Sequence, residues 1–132
     1  MEREELIALA RKARELSYSP YSHYAVGAAV LCKDGAVYQG ANVENASFPV
    51  SMCAERNAIF HAMMEGRKKE DFVALAIVAN DKKPVTPCGA CRQVLAEMFP
   101  EHAPIYLANL AGEEITTDIA SLLPMAFKGE DL

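Results

Sequence analysis

Eight consecutive apolar residues, FVALAIVA from Phe72 to Ala79, leave a chain of this kind few ways to fold. The run has the length of a strand and no polar residue at alternate positions, so neither of its faces is written for water. It predicts a strand covered on both sides, and the rest of the chain has to supply the covers.

The flanking segments read as such covers. From Glu2 to Leu16, apolar residues recur at Leu6, Leu9, Ala10, Ala13 and Leu16, the spacing of an amphipathic helix packed by one face. Ala25 to Cys32 and Val37 to Val43, joined by Lys33-Asp34-Gly35, predict a hairpin. Glu44 to Met52 reads as a loop. Cys53 opens a helix to about Glu65 with Gly66 as its stop, and the basic run Arg67-Lys68-Lys69 reads as the solvated, dipole-complementing end of that helix. Pro87 lies just before or within the first turn of a second helix, ended by Phe99-Pro100. A strand over Ile105 to Leu110 follows, then a short strand around Ile115 and a brief helix capped by Asp118. Alternating strands and helices predict one α/β domain over residues 1–132, with helices on a mixed sheet.

Charge narrows the function. The 132-residue chain carries a formal net charge of -5, and binding a polynucleotide requires a cluster of Lys and Arg on its phosphates, so nucleic acid is not the expected partner. The amino terminus has no uninterrupted apolar stretch, so neither a signal peptide nor a membrane span is expected and a cytoplasmic location follows by default. In that setting four cysteines point to metal binding or catalysis in preference to disulfides.

Three of those cysteines fall in two short segments, Cys53-Ala54-Glu55 and Pro87-Cys88-Gly89-Ala90-Cys91, each opening a predicted helix. Helix amino termini favour cysteine as thiolate, the form that binds zinc. Three protein ligands leave a zinc coordination position open, as in catalytic sites, whereas structural sites use four. The remaining thiol, Cys32, sits within a hydrophobic strand and reads as core. Glu55, two residues beyond Cys53, is placed to move protons beside the metal without binding it. A His or Cys followed by x-Glu and a later Pro-Cys-x-x-Cys is the signature of zinc deaminases, in which that Glu is general acid and base.

Over nearly its whole length the chain resembles the small homotetrameric cytidine deaminases. The resemblance rests on Pro20-Tyr21-Ser22, Val26-Gly27-Ala28-Ala29, Asn42-Val43-Glu44-Asn45-Ala46, Cys53-Ala54-Glu55-Arg56, Pro87-Cys88-Gly89-Ala90-Cys91-Arg92-Gln93 and Leu122-Leu123-Pro124. It implies a three-layer fold with a sheet of about five strands, one zinc ion per chain, and a homotetramer. It also implies that Asn42 and Glu44 hydrogen-bond the ribose and that Ala54 belongs to the substrate site. Tyr24 stands where relatives usually stack a Phe on the pyrimidine, and Arg56 would hydrogen-bond the zinc thiolates. Phe127 would reach a neighbouring subunit's site, although the usual Gly-Ala-Phe is here Met125-Ala126-Phe127. Phe48-Pro49-Val50-Ser51 departs from the family's common Tyr then Gly in a loop that reaches the site across a subunit boundary.

The implied reaction is hydrolysis of cytidine and 2'-deoxycytidine to the uridines and ammonia, a step of pyrimidine salvage. Water activated at zinc adds to C4 of the base while Glu55 carries the protons. Two other readings compete: a deaminase of a related cytosine nucleoside such as blasticidin S, and a structural zinc or thiol-redox module built on Cys88 and Cys91. The second leaves Glu55 without a role.

Overall fold

The computed structural model describes residues 1–132. Helix α1 (Arg3–Ala13) is followed by the hairpin β1 (Val26–Cys32) and β2 (Val37–Ala41), then α2 (Ala54–Met64), β3 (Phe72–Ala79), α3 (Gly89–Met98), β4 (Ile105–Asn109), β5 (Glu114–Thr117) and α4 (Ile119–Leu122). The strands form one five-stranded sheet in the order β2-β1-β3-β4-β5. The β3–β4 pair, linked through α3, is parallel, and all other pairs are antiparallel.

The apolar run is the central strand β3, with Ala74 to Ala79 all buried. Alternation along the strands divides the core between two faces. Ala28, Val30, Leu75, Ile77, Ile105 and Leu107 face Ala58 and Ile59 of α2, Leu95 of α3 and Ile119 of α4. On the other face Ala29, Ala74, Ala76, Val78 and Ala108 lie against Leu6 and Ala10 of α1. The three layers are those the resemblance implies.

Small residues set how closely the layers approach. A Cβ added at Gly27 would lie 2.0 Å from the Ala10 carbonyl oxygen of α1, and one at Gly40 would lie 2.4 Å from the Ala58 amide nitrogen and 2.5 Å from the Ala54 oxygen of α2. Glycine at 40 therefore lets α2 rest on β2 backbone to backbone, and Asn57 ties the two together by donating to the Ala41 carbonyl at 2.7 Å.

Several boundaries differ from the sequence reading. The first helix stops at Ala13 and tightens into a 3₁₀ turn over Arg14–Leu16, which leaves Leu16 exposed instead of packed. The expected loop before Cys53 holds a 3₁₀ turn, Phe48–Val50, and Val43 bridges to Met52. The basic run does not end a helix. Gly66 takes φ 91° and stops α2 before it, and Arg67 turns back to the hairpin, donating to Asp34 Oδ2 at 2.7 Å and to the Tyr38 hydroxyl at 3.0 Å. A carboxylate partner within reach outweighs the weak attraction of a helix carboxyl end. No helix is long and apolar enough to cross a membrane.

Candidate active site

Two helix amino termini carry the sulfurs. Cys53 is the residue before the first turn of α2 and Cys88 the residue before the first turn of α3; both are extended in backbone, and neither side chain caps its helix. Their thiols are thus free to point elsewhere. Cys91, three residues beyond Cys88, lies in the first turn of α3, so the Cys-x-x-Cys spacing brings both side chains to the same helix end. The start of α3 is fastened by Arg92, which donates to the Pro87 carbonyl and to the Leu122 carbonyl, both at 2.8 Å.

The three sulfurs lie within 4.8 Å of one another. Zinc–sulfur bonds of about 2.3 Å separate the sulfurs of a tetrahedral site by about 3.8 Å, and Cys53 Sγ and Cys88 Sγ are 3.7 Å apart. This cluster is far too open for a disulfide and of the right size for zinc. Cys32 is buried in the core and takes no part.

Charge is unevenly shared within the trio. The Cys53 thiol is pushed down to about 5, first by a hydrogen bond from Cys91 and then by Arg56 and Cys88. The same contact with Cys53, together with burial, pushes the Cys91 thiol up. The first thiolate of the trio is stabilised by the neighbouring thiols and by Arg56, and each further ionisation is opposed by it. A divalent cation removes that opposition, because ligation takes all three sulfurs as thiolates.

Arg56, also in the first turn of α2, donates from Nη2 to Cys53 Sγ at 3.3 Å. Its guanidinium is held in the charged form by Cys53, then by Cys91, and its buried Nε has no hydrogen-bond partner. Glu55, between Cys53 and Arg56 on the same turn, is 5% exposed. Burial drives its carboxyl up, and the Cys53 charge adds to the effect. A carboxyl withdrawn from water, raised in pKa and in contact with Cys91 is suited to accept and return a proton.

These groups open into a cavity of about 610 Å³ lined by Tyr24, Asn42, Glu44, Cys53, Ala54, Glu55, Arg56 and Cys88 among others. Phe48 and Ser51, from the loop expected to reach a neighbouring subunit's site, line the cavity of their own chain, and Met52, Val85 and Thr86 line it without having carried a sequence signal of their own. Asn42 and Glu44 are already engaged. The Asn42 amide accepts from the Val26 N–H at 2.9 Å and from Ser17 Oγ at 2.6 Å, and donates to the Tyr24 carbonyl at 2.8 Å. Glu44 accepts from the Tyr21 and Ser22 amides, each at 3.1 Å, and from the Ser22 hydroxyl. Both residues therefore shape the Ser17–Tyr24 segment as well as facing the cavity. Phe127 is not brought to the cavity of its own chain; it is 55% exposed, and its carbonyl accepts from Gln93 Nε2 at 2.7 Å.

Known proteins match this arrangement. The family model described as the cytidine and deoxycytidylate deaminase zinc-binding region covers residues 1–106. A cytidine deaminase of Halalkalibacterium halodurans is 53% identical over 132 residues, spanning 100% of this chain and 98% of the relative. One from Sporosarcina psychrophila is 51% identical, spanning 100% and 96%. The crystal structure of cytidine deaminase from Burkholderia pseudomallei superposes with a TM-score of 0.94 at 44% identity, covering 96% of this chain and 100% of that one. The fold, the three-sulfur cluster with its buried glutamate, and these matches agree: the chain belongs to the zinc-dependent cytidine deaminase family.

Proposed function

We propose that the protein hydrolyses free cytidine and 2'-deoxycytidine to uridine and 2'-deoxyuridine, releasing ammonia, as a cytoplasmic enzyme of pyrimidine salvage. The observation that carries this reading is the cluster of three sulfurs beside a cavity of about 610 Å³, with Cys53, Cys88 and the buried Glu55 in its lining and Cys91 buried behind them. Relatives identical at half their positions, named as cytidine deaminases, support the substrate class.

Cys53, Cys88 and Cys91 would hold one zinc ion per chain. When bound, zinc supplies Lewis acidity, which brings the pKa of a water from about 15.7 toward 7. Three thiolates give the centre a formal charge near -1 and blunt that effect. Arg56 on Cys53 and the amino termini of α2 and α3 offset it. Glu55 takes a proton from the attacking water and delivers it to N3, then takes the second proton from the hydroxyl added at C4 and delivers it to the departing amino group, leaving the C4 carbonyl and ammonia. Burial raises its carboxyl above the ordinary carboxylate range, which favours the protonated form that a proton donor needs.

Asn42 and Glu44 bind the ribose, Tyr24 provides the aromatic face for the pyrimidine, and Ala54 contacts the base. Residues 1–132 act as a single catalytic domain within a homotetramer, to which the exposed Phe127 contributes by reaching a neighbouring subunit's site. The thiol-redox reading has no use for the third sulfur or for Glu55.

The test is product analysis. Zinc-loaded protein given cytidine is expected to form uridine and ammonia in equal amounts, with a fall in cytidine absorbance. No conversion of cytidine or 2'-deoxycytidine would reject the assignment, and conversion of blasticidin S alone would replace it.

A further inference from the structure

Tyr24 is held by hydrogen bonds at three points. Its carbonyl accepts from Asn42 Nδ2 at 2.8 Å, and its N–H donates to Ser22 Oγ at 3.0 Å. Its hydroxyl, at the far end of the ring, donates to Asp81 Oδ2 at 2.9 Å across 57 positions of sequence. Asp81 lies in the segment between β3 and α3, the same segment whose Val85 and Thr86 line the cavity beside Tyr24.

Asp81 is itself held. Its other carboxylate oxygen, Oδ1, accepts from the Lys82 N–H at 2.7 Å, and its backbone carbonyl accepts from Asn109 Nδ2 at 3.2 Å. Asn109 is 4% exposed, at the end of β4, and its Oδ1 accepts from the Glu113 N–H at 2.9 Å. A buried amide at a strand end thus anchors the turn, the turn aims a carboxylate, and the carboxylate grips the tip of a ring that walls the cavity.

We propose that Asp81 is a positioning residue for the nucleoside site: it clasps the Tyr24 hydroxyl and holds that ring, and with it the mouth between the two loops, in the orientation that binds the pyrimidine. The inference rests on the functional reading above. It assigns to Asp81 a part in substrate binding, with no part in proton transfer, since Asp81 does not line the cavity and Glu55 does.

An aromatic ring free to turn about its χ1 and χ2 bonds loses part of its stacking on a flat base to the entropy of being ordered on binding; a ring clasped beforehand does not. The effect therefore belongs in KM. A phenolic hydroxyl on a carboxylate is a charge-assisted bond, and exposure to water reduces it toward the range of surface pairs, so the expected change is about three- to fivefold.

The experiment is a double-mutant cycle on zinc-loaded protein, with zinc content, cytidine kinetics and uridine affinity by calorimetry measured for each form. Asp81→Ala is expected to raise KM and weaken uridine by about three- to fivefold with kcat within about twofold of the parent. Tyr24→Phe should raise KM similarly, and the double variant should be no worse than either single one. Asp81→Asn, which keeps an acceptor for the hydroxyl, should recover most of the loss. KM changes that add in the double variant would overturn the clasp, because Asp81 would then act only through its own turn. So would an unchanged KM, or a loss confined to kcat. A parent that turns over cytidine while the cycle is additive rejects the clasp alone. A zinc-loaded parent that neither turns over cytidine nor binds uridine rejects the functional reading, and the clasp falls with it.

Discussion

At the scale of single residues, the start of α2 concentrates the proposed chemistry: the proposed ligand, proton carrier and counter-charge stand within four positions, at Cys53, Glu55 and Arg56. Their roles are separable by substitution. Glu55→Ala removes the proposed proton carrier and leaves the sulfurs, so zinc is expected to stay at one per chain while kcat falls by at least the 10²- to 10⁴-fold typical of a positioned acid or base. Zinc content and rate on one sample check this, and substantial residual deamination would remove Glu55 from its role. Arg56→Ala should lower zinc affinity or kcat by about 10- to 100-fold, the usual effect of losing a group that supports metal ligands. Its melting temperature in the zinc-loaded form should change far less. Unaltered kinetics and metal affinity would show that the 3.3 Å contact to Cys53 is incidental.

Elements matter through how closely they approach. The cysteine-bearing end of α2 is placed by the flat contact of that helix with β2, where Gly40 meets Ala54 and Ala58 backbone atoms. Gly40→Ala has no flexible side chain to push aside, so the cost should reach or exceed the top of the range of about 1–3 kcal/mol for overpacked sites. Because the displaced segment begins at Cys53, zinc should also be held less tightly. A thermal melt of the metal-free form and a competitive zinc titration check the two effects separately. Retention of both would mean that α2 can shift on β2 without disturbing the cluster. Gly89, which opens α3 between the two cysteines, would meet nothing within 4 Å if given a Cβ. Gly89→Ala is therefore expected to leave stability and zinc binding nearly unchanged, which makes it the matching control.

Across the whole molecule, what was legible in the sequence was what is local in it. The apolar run gave β3 with its boundaries, because burial on both faces leaves a pattern in consecutive residues. The spacing Cys-x-x-Cys, and Glu two positions after Cys53, become geometry directly once a helix starts there. Partners distant along the chain left no such mark. Nothing near Arg67 announces Asp34, so its run read as a helix end. Nothing near Tyr24 announces Asp81, and Asn42 gives no sign that its amide is already spent on Val26 and Tyr24. Tail residues such as Phe127 are the extreme case, since their proposed partners lie on another copy of the chain.

The proposed activity depends on a catalytic zinc held by Cys53, Cys88 and Cys91. It is tested most directly by measuring zinc and cytidine turnover together on reduced protein, before chelation, after it, and after zinc is restored. One zinc per chain, loss of turnover in proportion to zinc removed, and return of both are expected, with Cys91→Ala failing to recover either. Full turnover by protein stripped of metal, or zinc retained in full by Cys91→Ala, would contradict it.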